Sequence, residues 1–278
     1  MKISSPSEKL NYNSKKMKKT PPNINYIYPG LKIGVVIPAY NEEFNIGKTL
    51  EQIPNNISDK FDVMVVDDGS VDKTSEIASN YNITLIKHSQ NRGYGAAVRT
   101  GLDFCRNKKV DVVIILDADG QHDPKYIQDF IKPIVEDNID FVLGNRFKYY
   151  YEIETYKKLC LKIMTAFYMV FLHKKVMDPT NGYRALTSKV LEDLELESEY
   201  SISQEMLFKI IPYYNYKQIP IVVKQRDHGK SFIKMKNYFS KIILLAIKYY
   251  IFPRIRKITH KIMSEDFRNR VKRYILKT

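Results

Sequence analysis

Ile114-Ile115-Leu116-Asp117-Ala118-Asp119-Gly120-Gln121-His122 is the stretch from which the fold is read. An apolar, β-branched run from Val110 to Leu116 stops there at two carboxylates. Such a run is expected of a strand covered on both faces in an α/β sheet, and ligands belong at the carboxyl end of such a strand. Asp117 and Asp119 stand two apart, so an extended segment points both side chains the same way, and Gly120 allows an immediate turn. Paired hard oxygen ligands suit Mg²⁺ or Mn²⁺, ions that keep waters and bind a substrate diphosphate rather than a full protein cage. Asp-x-Asp-Gly after a strand fits a plain polar turn equally well, so its neighbours decide. An EF-hand is excluded, because the later oxygen ligands and the closing Glu are missing. No Gly-x-x-x-x-Gly-Lys-Ser/Thr phosphate loop occurs.

Upstream, Ile33 to Ile37 reads as a strand, Pro38 to Glu43 as a loop and Phe44 to Ile53 as a helix. Val63 to Val66 is a second buried strand ending in Asp67-Asp68-Gly69-Ser70, after which Asp72 caps a helix running to about Tyr81. Ile83 to Ile86 makes a third strand, and a turn at Asn91 to Gly95 opens a helix through Ala96, Ala97, Val98 and Leu102. Downstream of the central strand come a helix from Pro124 to Val135 and a strand at Phe141 to Leu143. Strands alternating with helices predict a mostly parallel, layered α/β sheet. Three strands then end in polar loops, at Pro38 to Glu43, Asp67 to Ser70 and Asp117 to Gln121, and a parallel sheet brings such ends to one edge. Three acid-rich loops there repel one another unless a cation or hydrogen-bond donors lie between them, which points to a metal nucleotide site.

The 278 residues, 44% of them hydrophobic, suffice for one large α/β domain with appendages. Of the net charge of +14, residues 1–20 carry +5 and residues 254–278 carry +7, leaving the middle nearly neutral. A nucleic-acid enzyme places its basic surface beside its site; charge at the two ends predicts attraction to an anionic membrane surface instead. Cys105 and Cys160, the two cysteines, are read as reduced core thiols. The amino terminus is rich in Lys, Ser and Asn without an apolar centre, so the protein is expected to be cytoplasmic, peripheral on the inner face of the membrane.

With these residues assembled, the chain resembles a family 2 glycosyltransferase of the GT-A fold, and most of all the dolichol or polyprenyl phosphate mannosyl- and glucosyltransferases. The motifs run in order from Val35-Val36-Ile37-Pro38-Ala39-Tyr40-Asn41-Glu42-Glu43, through Asp67-Asp68-Gly69-Ser70 with Asp72 and Thr74, and Asn91-Arg92-Gly93-Tyr94-Gly95, to the Asp117 stretch. Gly144-Asn145-Arg146-Phe147, Thr180-Asn181-Gly182-Tyr183-Arg184-Ala185, and Arg226 with Gly229-Lys230-Ser231 come after it. The resemblance implies that Pro38, Tyr40, Glu42 and Asp67 hold the nucleoside, with Ala39, Asp68, Gly93 and Ala118 also in the donor site. It implies a divalent metal, Mn²⁺ or Mg²⁺, on Asp117, Asp119 and Gln121, and closure of Arg226 and Lys230 over the diphosphate. Asp119, Arg146 and Arg226 become the catalytic set, and Arg146, Lys157 and Lys158 the acceptor-phosphate pocket. The family's last loop usually ends Ser-Lys, whereas Phe232 stands in the final position here, with Lys230 or Lys234 as the nearest substitutes.

A cation and a guanidinium on the leaving diphosphate stabilise charge where it develops as the sugar C1 bond breaks. A polyprenyl phosphate is already an anion and needs only positioning against C1. A sugar hydroxyl on a glycan or lipid headgroup would need a base, for which Asp123 and Glu205 are the candidates, although a Glu placed like Glu205 is more often a structural hydrogen-bond acceptor. A reading from another class is a non-catalytic nucleotide-sugar or nucleic-acid binding protein. The expected transfer is of one hexose, with inversion, from a donor of the GDP-mannose or UDP-glucose type to polyprenyl phosphate, with no nucleic acid involved.

The expected organisation is a basic arm over residues 1–30, a GT-A domain over 31–236 and a basic amphipathic helical tail over 237–278. Asn237 to Phe252 is apolar almost all round but, at about 1.5 Å per residue, falls short of the roughly 30 Å hydrocarbon core. From Ile255, apolar Ile258, Ile262, Phe267, Val271 and Ile275 fall close to one helical face among Arg and Lys, the pattern of a helix lying in the interface. Met164 to Leu172 is a second apolar helix that either buries in the core or lines a lipid channel.

Overall fold

The structure is a computed structural model that describes residues 30–53, 61–146, 155–199, 201–223, 242–251 and 253. The elements run β1 Ile33–Ala39, α1 Ile46–Glu51, β2 Phe61–Asp67, α2 Thr74–Ala78, β3 Thr84–Lys87, α3 Tyr94–Lys108 and β4 Val112–Ile115. After a 3₁₀ turn at Pro124–Tyr126 come α4 Ile127–Glu136, β5 Phe141–Asn145, α5 Thr155–Leu172, β6 Arg184–Thr187, α6 Ser188–Asp193, α7 Ile202–Ile210 and β7 Tyr216–Pro220. Residues 242–246 are helical and continue into a π-helical stretch, Ile247–Ile251.

Seven strands form one sheet in the order β3-β2-β1-β4-β6-β5-β7. β1, β2, β3 and β4 are mutually parallel, and β7 is parallel to β5. β6 runs antiparallel between β4 and β5. The sheet is thus mostly parallel, as the alternation of elements predicts, with β6 inserted in reverse. Neither β6 nor β7 is marked by a long apolar run: β7 reads Tyr-Lys-Gln-Ile-Pro and is half-buried over most of its length. The central strand is shorter than the apolar run around it, since the Val110 N–H turns back to the Cys105 carbonyl to end α3. Asp123 and Pro124 tighten the first turn before α4, the Asp123 carboxylate accepting from the Lys125 N–H.

Both sheet faces are covered, which is why β1 and β4 read as unbroken apolar runs. Val36, Val66, Val113 and Ile115 point into one core with α3 and α5, while Val35, Ile37, Val65 and Ile114 point into the other with α4. α3 approaches β1 closely because of Gly101. A Cβ there would sit 2.2 Å from Val36 Cγ1. The apolar face of α5 goes into the first core: Met164, Tyr168 and Leu172 are buried, and Phe167 and Phe171 pack against them. Of the two fates open to this helix in the sequence, that face takes the core. Ile242, Leu245 and Ala246 are buried in the same core, so the described start of the carboxyl-terminal segment packs on the domain. Among the described residues no helix is long and apolar enough to cross a membrane.

Candidate active site

Strand order reverses between β1 and β4, with β2 on one side and β6 on the other, so a crevice opens beyond their carboxyl ends. In it meet the loops after β1, β2 and β4. The first two are laced together by side chains. The Asn41 N–H donates to Ser70 Oγ at 2.9 Å, the Glu42 N–H to Thr74 Oγ1 at 2.8 Å, and the Val71 N–H to Asn41 Oδ1 at 3.0 Å. Asn41 takes a left-handed φ of 54° to make this junction. Asp72 accepts from the Thr74 N–H at 2.9 Å just ahead of α2, but the N-cap position is Lys73, without a side-chain cap, so the cap expected of Asp72 falls one residue early.

The residues expected to hold the nucleoside lie here in different states. Pro38 and Ala39 are buried at the end of β1, and Tyr40, at its mouth, is half-buried. Glu42 is buried and accepts from Asn45 Nδ2 at 2.7 Å. Asp67 is fully buried, Oδ1 accepting from the Ser70 N–H at 2.8 Å and Oδ2 from the Ser75 hydroxyl. Asp68 is spent on architecture: Oδ1 faces His88 Nδ1 at 2.6 Å and takes the Arg92 N–H at 3.0 Å, and Oδ2 takes the Gly93 N–H at 2.7 Å. It ties the end of β2 to the start of α3, and Gly93 contributes its backbone to that tie. His88, whose Nε2 meets Thr100 Oγ1 at 3.0 Å, completes it. No periodicity or spacing in the sequence marks His88, and its partner lies 20 residues away.

Asp117 and Asp119 come after β4, both partly exposed to the crevice, with buried Ala118 between them. Gly120 makes the turn with a φ of +73°, and the Gln121 N–H donates back to Asp119 Oδ1 at 3.0 Å. The Asp117 carboxylate accepts from the Tyr94 hydroxyl at 2.9 Å. Burial and the Asp117 charge hold the Tyr94 phenol well above its ordinary pKa, so the neutral, donating form is the one present. Among the described residues no group of three or more His, Cys, Asp or Glu side chains is placed to hold a metal ion. Two carboxylates and an amide oxygen match instead an Mg²⁺ or Mn²⁺ whose other ligands are water and diphosphate oxygens, so the residues present fit that cation.

β5 brings a third group to the same edge, because β6, between it and β4, runs antiparallel to both. Ile115 and Leu143 flank Arg184 at one level, so Asp117 and Arg146 emerge just beyond it, two strand spacings or about 10 Å apart. Arg146 is gripped by Asp178 through Nε at 2.7 Å and Nη2 at 2.8 Å, and Nη2 also meets Thr180 Oγ1 at 2.6 Å. Burial pushes the Asp178 carboxyl upward, but Arg146 beside it and the Asn181 amide outweigh that and hold it below the usual carboxylate range. Asp178 is a residue that sequence reasoning passed over; the signal available was an acid just ahead of the Thr180 motif. Lys157 and Lys158 lie in the first turn of α5, with side chains outside the described residues, as Arg226, Lys230 and Lys234 are altogether.

The two base candidates differ. Asp123 is paired with Lys125, Oδ2 to Nζ at 2.7 Å. Glu205 is wholly buried and accepts from the Ser198 N–H at 2.8 Å, the Glu197 N–H at 3.1 Å and the Tyr249 hydroxyl at 2.7 Å, with Lys209 Nζ at 3.1 Å. Burial raises its pKa, but these donors prevail and keep it low. That is the setting of a structural acceptor.

A parallel sheet with acid-bearing loops at its switch point, extended across one reversed strand to a further strand, β5, that carries a basic group to the same edge, is the GT-A fold of nucleotide-sugar transferases. The chain belongs to glycosyl transferase family 2, whose profile matches residues 34–195. It is 30% identical to the dolichol-phosphate mannosyltransferase of Pyrococcus furiosus over 75% of this chain and 61% of that enzyme, so it spans under two thirds of that relative. It is also 30% identical to the UDP-N-acetylglucosamine–dolichyl-phosphate N-acetylglucosaminyltransferase of Methanococcus voltae, over 68% of this chain and 84% of that one. Among solved structures, glucosyl-3-phosphoglycerate synthase of Mycobacterium tuberculosis, in complex with Mn²⁺, UDP and glucosyl-3-phosphoglycerate, superposes with a TM-score of 0.64. The match has 19% identity and covers 80% of both chains.

Proposed function

We propose that this transferase moves a hexose or N-acetylhexosamine from a nucleoside diphosphate sugar to a polyprenyl phosphate, with inversion, at the cytoplasmic face of a membrane. The observation that carries the reading is the single sheet edge holding both an acidic pair suited to a metal diphosphate, Asp117 and Asp119, and an arginine fixed by a buried carboxylate, Arg146. Relatives named for dolichol phosphate acceptors support it.

In this reading Asp117, Asp119 and Gln121 hold Mn²⁺ or Mg²⁺, which when bound offsets the charge of the departing diphosphate. Tyr40 faces the nucleoside from the mouth of β1, with Glu42 and Asp67 buried behind it and both Asp67 oxygens held by Ser70 and Ser75. Arg146, its fork already engaged by Asp178, presents its fixed guanidinium charge to the acceptor phosphate. The phosphate oxygen attacks C1 as the C1–oxygen bond to the diphosphate breaks, and no proton has to be removed. The burial and saturation of Glu205 favour this acceptor over a hydroxyl. Membrane attraction rests on the basic ends of the chain, and on an outward apolar stripe along α5, where Leu159, Ile163 and Val170 are at least half exposed.

The test is sugar transfer by the purified chain from a panel of nucleotide sugars, with Mn²⁺ or Mg²⁺, to a short polyprenyl phosphate. Metal-dependent glycolipid is the expected product. Transfer confined to added sugar acceptors would overturn the acceptor assignment, and nucleotide binding with no product from any acceptor would overturn the reaction.

A further inference from the structure

We infer that Tyr94 is a positioning residue for the metal site: its hydroxyl fixes the carboxylate of Asp117, against the bare backbone of Gly182 on the other side. The inference rests on the metal-site reading above and deepens it. Tyr94 opens α3, whereas Asp117 comes after β4, 23 residues on, and the two meet only because α3 packs across β1 and β2. The hydroxyl donates to Asp117 Oδ1 at 2.9 Å. A Cβ at Gly182 would lie 2.6 Å from Oδ2 and 2.8 Å from Oδ1, so the carboxylate occupies space that any other residue there would fill. His122 approaches Oδ2 at 3.5 Å, but its Nδ1 accepts the backbone N–H of Asp117 at 3.1 Å and turns a lone pair, not a proton, toward the carboxylate. The orienting donor is therefore Tyr94.

Its own position is built in. The Gly95 N–H donates to the Glu199 carbonyl at 2.6 Å and Arg99 Nη1 to the Ser198 carbonyl at 3.0 Å, which pins the first turns of α3. Glu205 holds the Glu197 and Ser198 amides just before them. A carboxylate that is oriented before the cation arrives loses less rotational freedom on binding. A donor also draws charge from the carboxylate and weakens it as a ligand. Orientation outweighs this, because outer hydrogen bonds to metal ligands are typically worth about 10- to 100-fold in affinity.

The experiment compares the full chain with Tyr94→Phe, which keeps the ring and removes the donor. Thermal unfolding is followed in EDTA and across a Mn²⁺ titration with UDP or GDP present, and free Mn²⁺ is counted by electron paramagnetic resonance. The expected result is unfolding within a few degrees of the parent in EDTA, with about 10- to 100-fold more Mn²⁺ needed for half-saturation. Unchanged or tighter Mn²⁺ binding by Tyr94→Phe would overturn the inference. A parent chain that binds no Mn²⁺ with either nucleotide would instead overturn the metal site itself. If Tyr94→Phe does not fold, Gly182→Ala crowds the same carboxylate with Tyr94 intact, and an unaltered Mn²⁺ response in that variant would overturn the inference.

Discussion

Arg146 and Asp178 lie 32 residues apart and share two parallel hydrogen bonds, Nε to Oδ2 at 2.7 Å and Nη2 to Oδ1 at 2.8 Å, with the carboxylate fully buried and the guanidinium 26% exposed. A planar fork is fixed this way and an ammonium is not. The pair sits where β5 ends and the Thr180 loop begins, so it also joins those two segments.

Arg146→Lys is expected to lower transfer to polyprenyl phosphate at least about tenfold, mainly through the acceptor KM, with donor KM little changed. Steady-state kinetics with each substrate varied in turn would check this, and an effect confined to the donor would remove Arg146 from the acceptor side.

Asp178→Asn leaves a largely buried guanidinium without its counter-charge, which costs about 3–5 kcal/mol where both partners are fully buried; the partial exposure of Arg146 sets the expectation at the lower end. Because Asp178 is held below its ordinary carboxylate pKa in the folded state, its stabilisation is fully present above about pH 4. It is lost as pH falls through the depressed folded value. Urea unfolding of parent and variant from about pH 7 to about pH 2 should therefore show the gap between them closing only at the acid end.

Asp119→Asn and Asp117→Asn are expected to remove metal-dependent transfer by at least about 100-fold, while the melting temperature in EDTA stays within a few degrees. Both carboxylates are partly exposed at the crevice. Transfer that persists in either variant at saturating Mn²⁺ would show that the cation is held elsewhere.

Glu205→Gln tests whether this residue is base or brace. Its carboxylate takes four donors from three segments, and loss of charge-assisted bonds to buried groups costs about 1–3 kcal/mol. A brace predicts a lower melting temperature with transfer to polyprenyl phosphate largely retained at room temperature. Abolished transfer in a variant still folded at that temperature would restore it as a base.

Cys105 is fully buried beneath Gly34, and burial pushes its thiol up to about 12. In a Cys160→Ser background it should resist a disulfide-exchange thiol reagent at mildly alkaline pH and react only at the rate of unfolding. Fast native labelling would show that α3 opens locally over β1.

Much of this architecture is legible along the chain because it is chain-local. The Ile33–Ala39 and Val112–Ile115 strands announce themselves through apolar runs, and their ends through Asn41 in the one case and Asp117 with Gly120 in the other, since burial on both faces and a tight turn each demand particular residue types at adjacent positions. The acidic pair Asp117 and Asp119 is visible for the same reason, being two residues apart on one turn. The chain beyond β5 is harder to read. β6, four residues of Arg-Ala-Leu-Thr, and β7, ending in Pro220, owe their place to neighbouring strands rather than to their own pattern.

Packing in three dimensions settled which polar groups stay available and which are consumed. Asp67 and Asp68 read alike in sequence and both are consumed, Asp67 by Ser70 and Ser75 and Asp68 by His88 and the start of α3. Glu205 reads as either a base or a structural acceptor, and the Glu197 and Ser198 amides and Tyr249 that enclose it make it the acceptor. Tyr94 reads as part of the turn that opens a helix and reaches Asp117 across the sheet. Arg146 reads as a lone cation and is fixed by Asp178. The physical reason is the same in each case: a side chain's chemistry is carried by its residue type, but its hydrogen-bond partners lie 7 to 44 residues away and are chosen by packing.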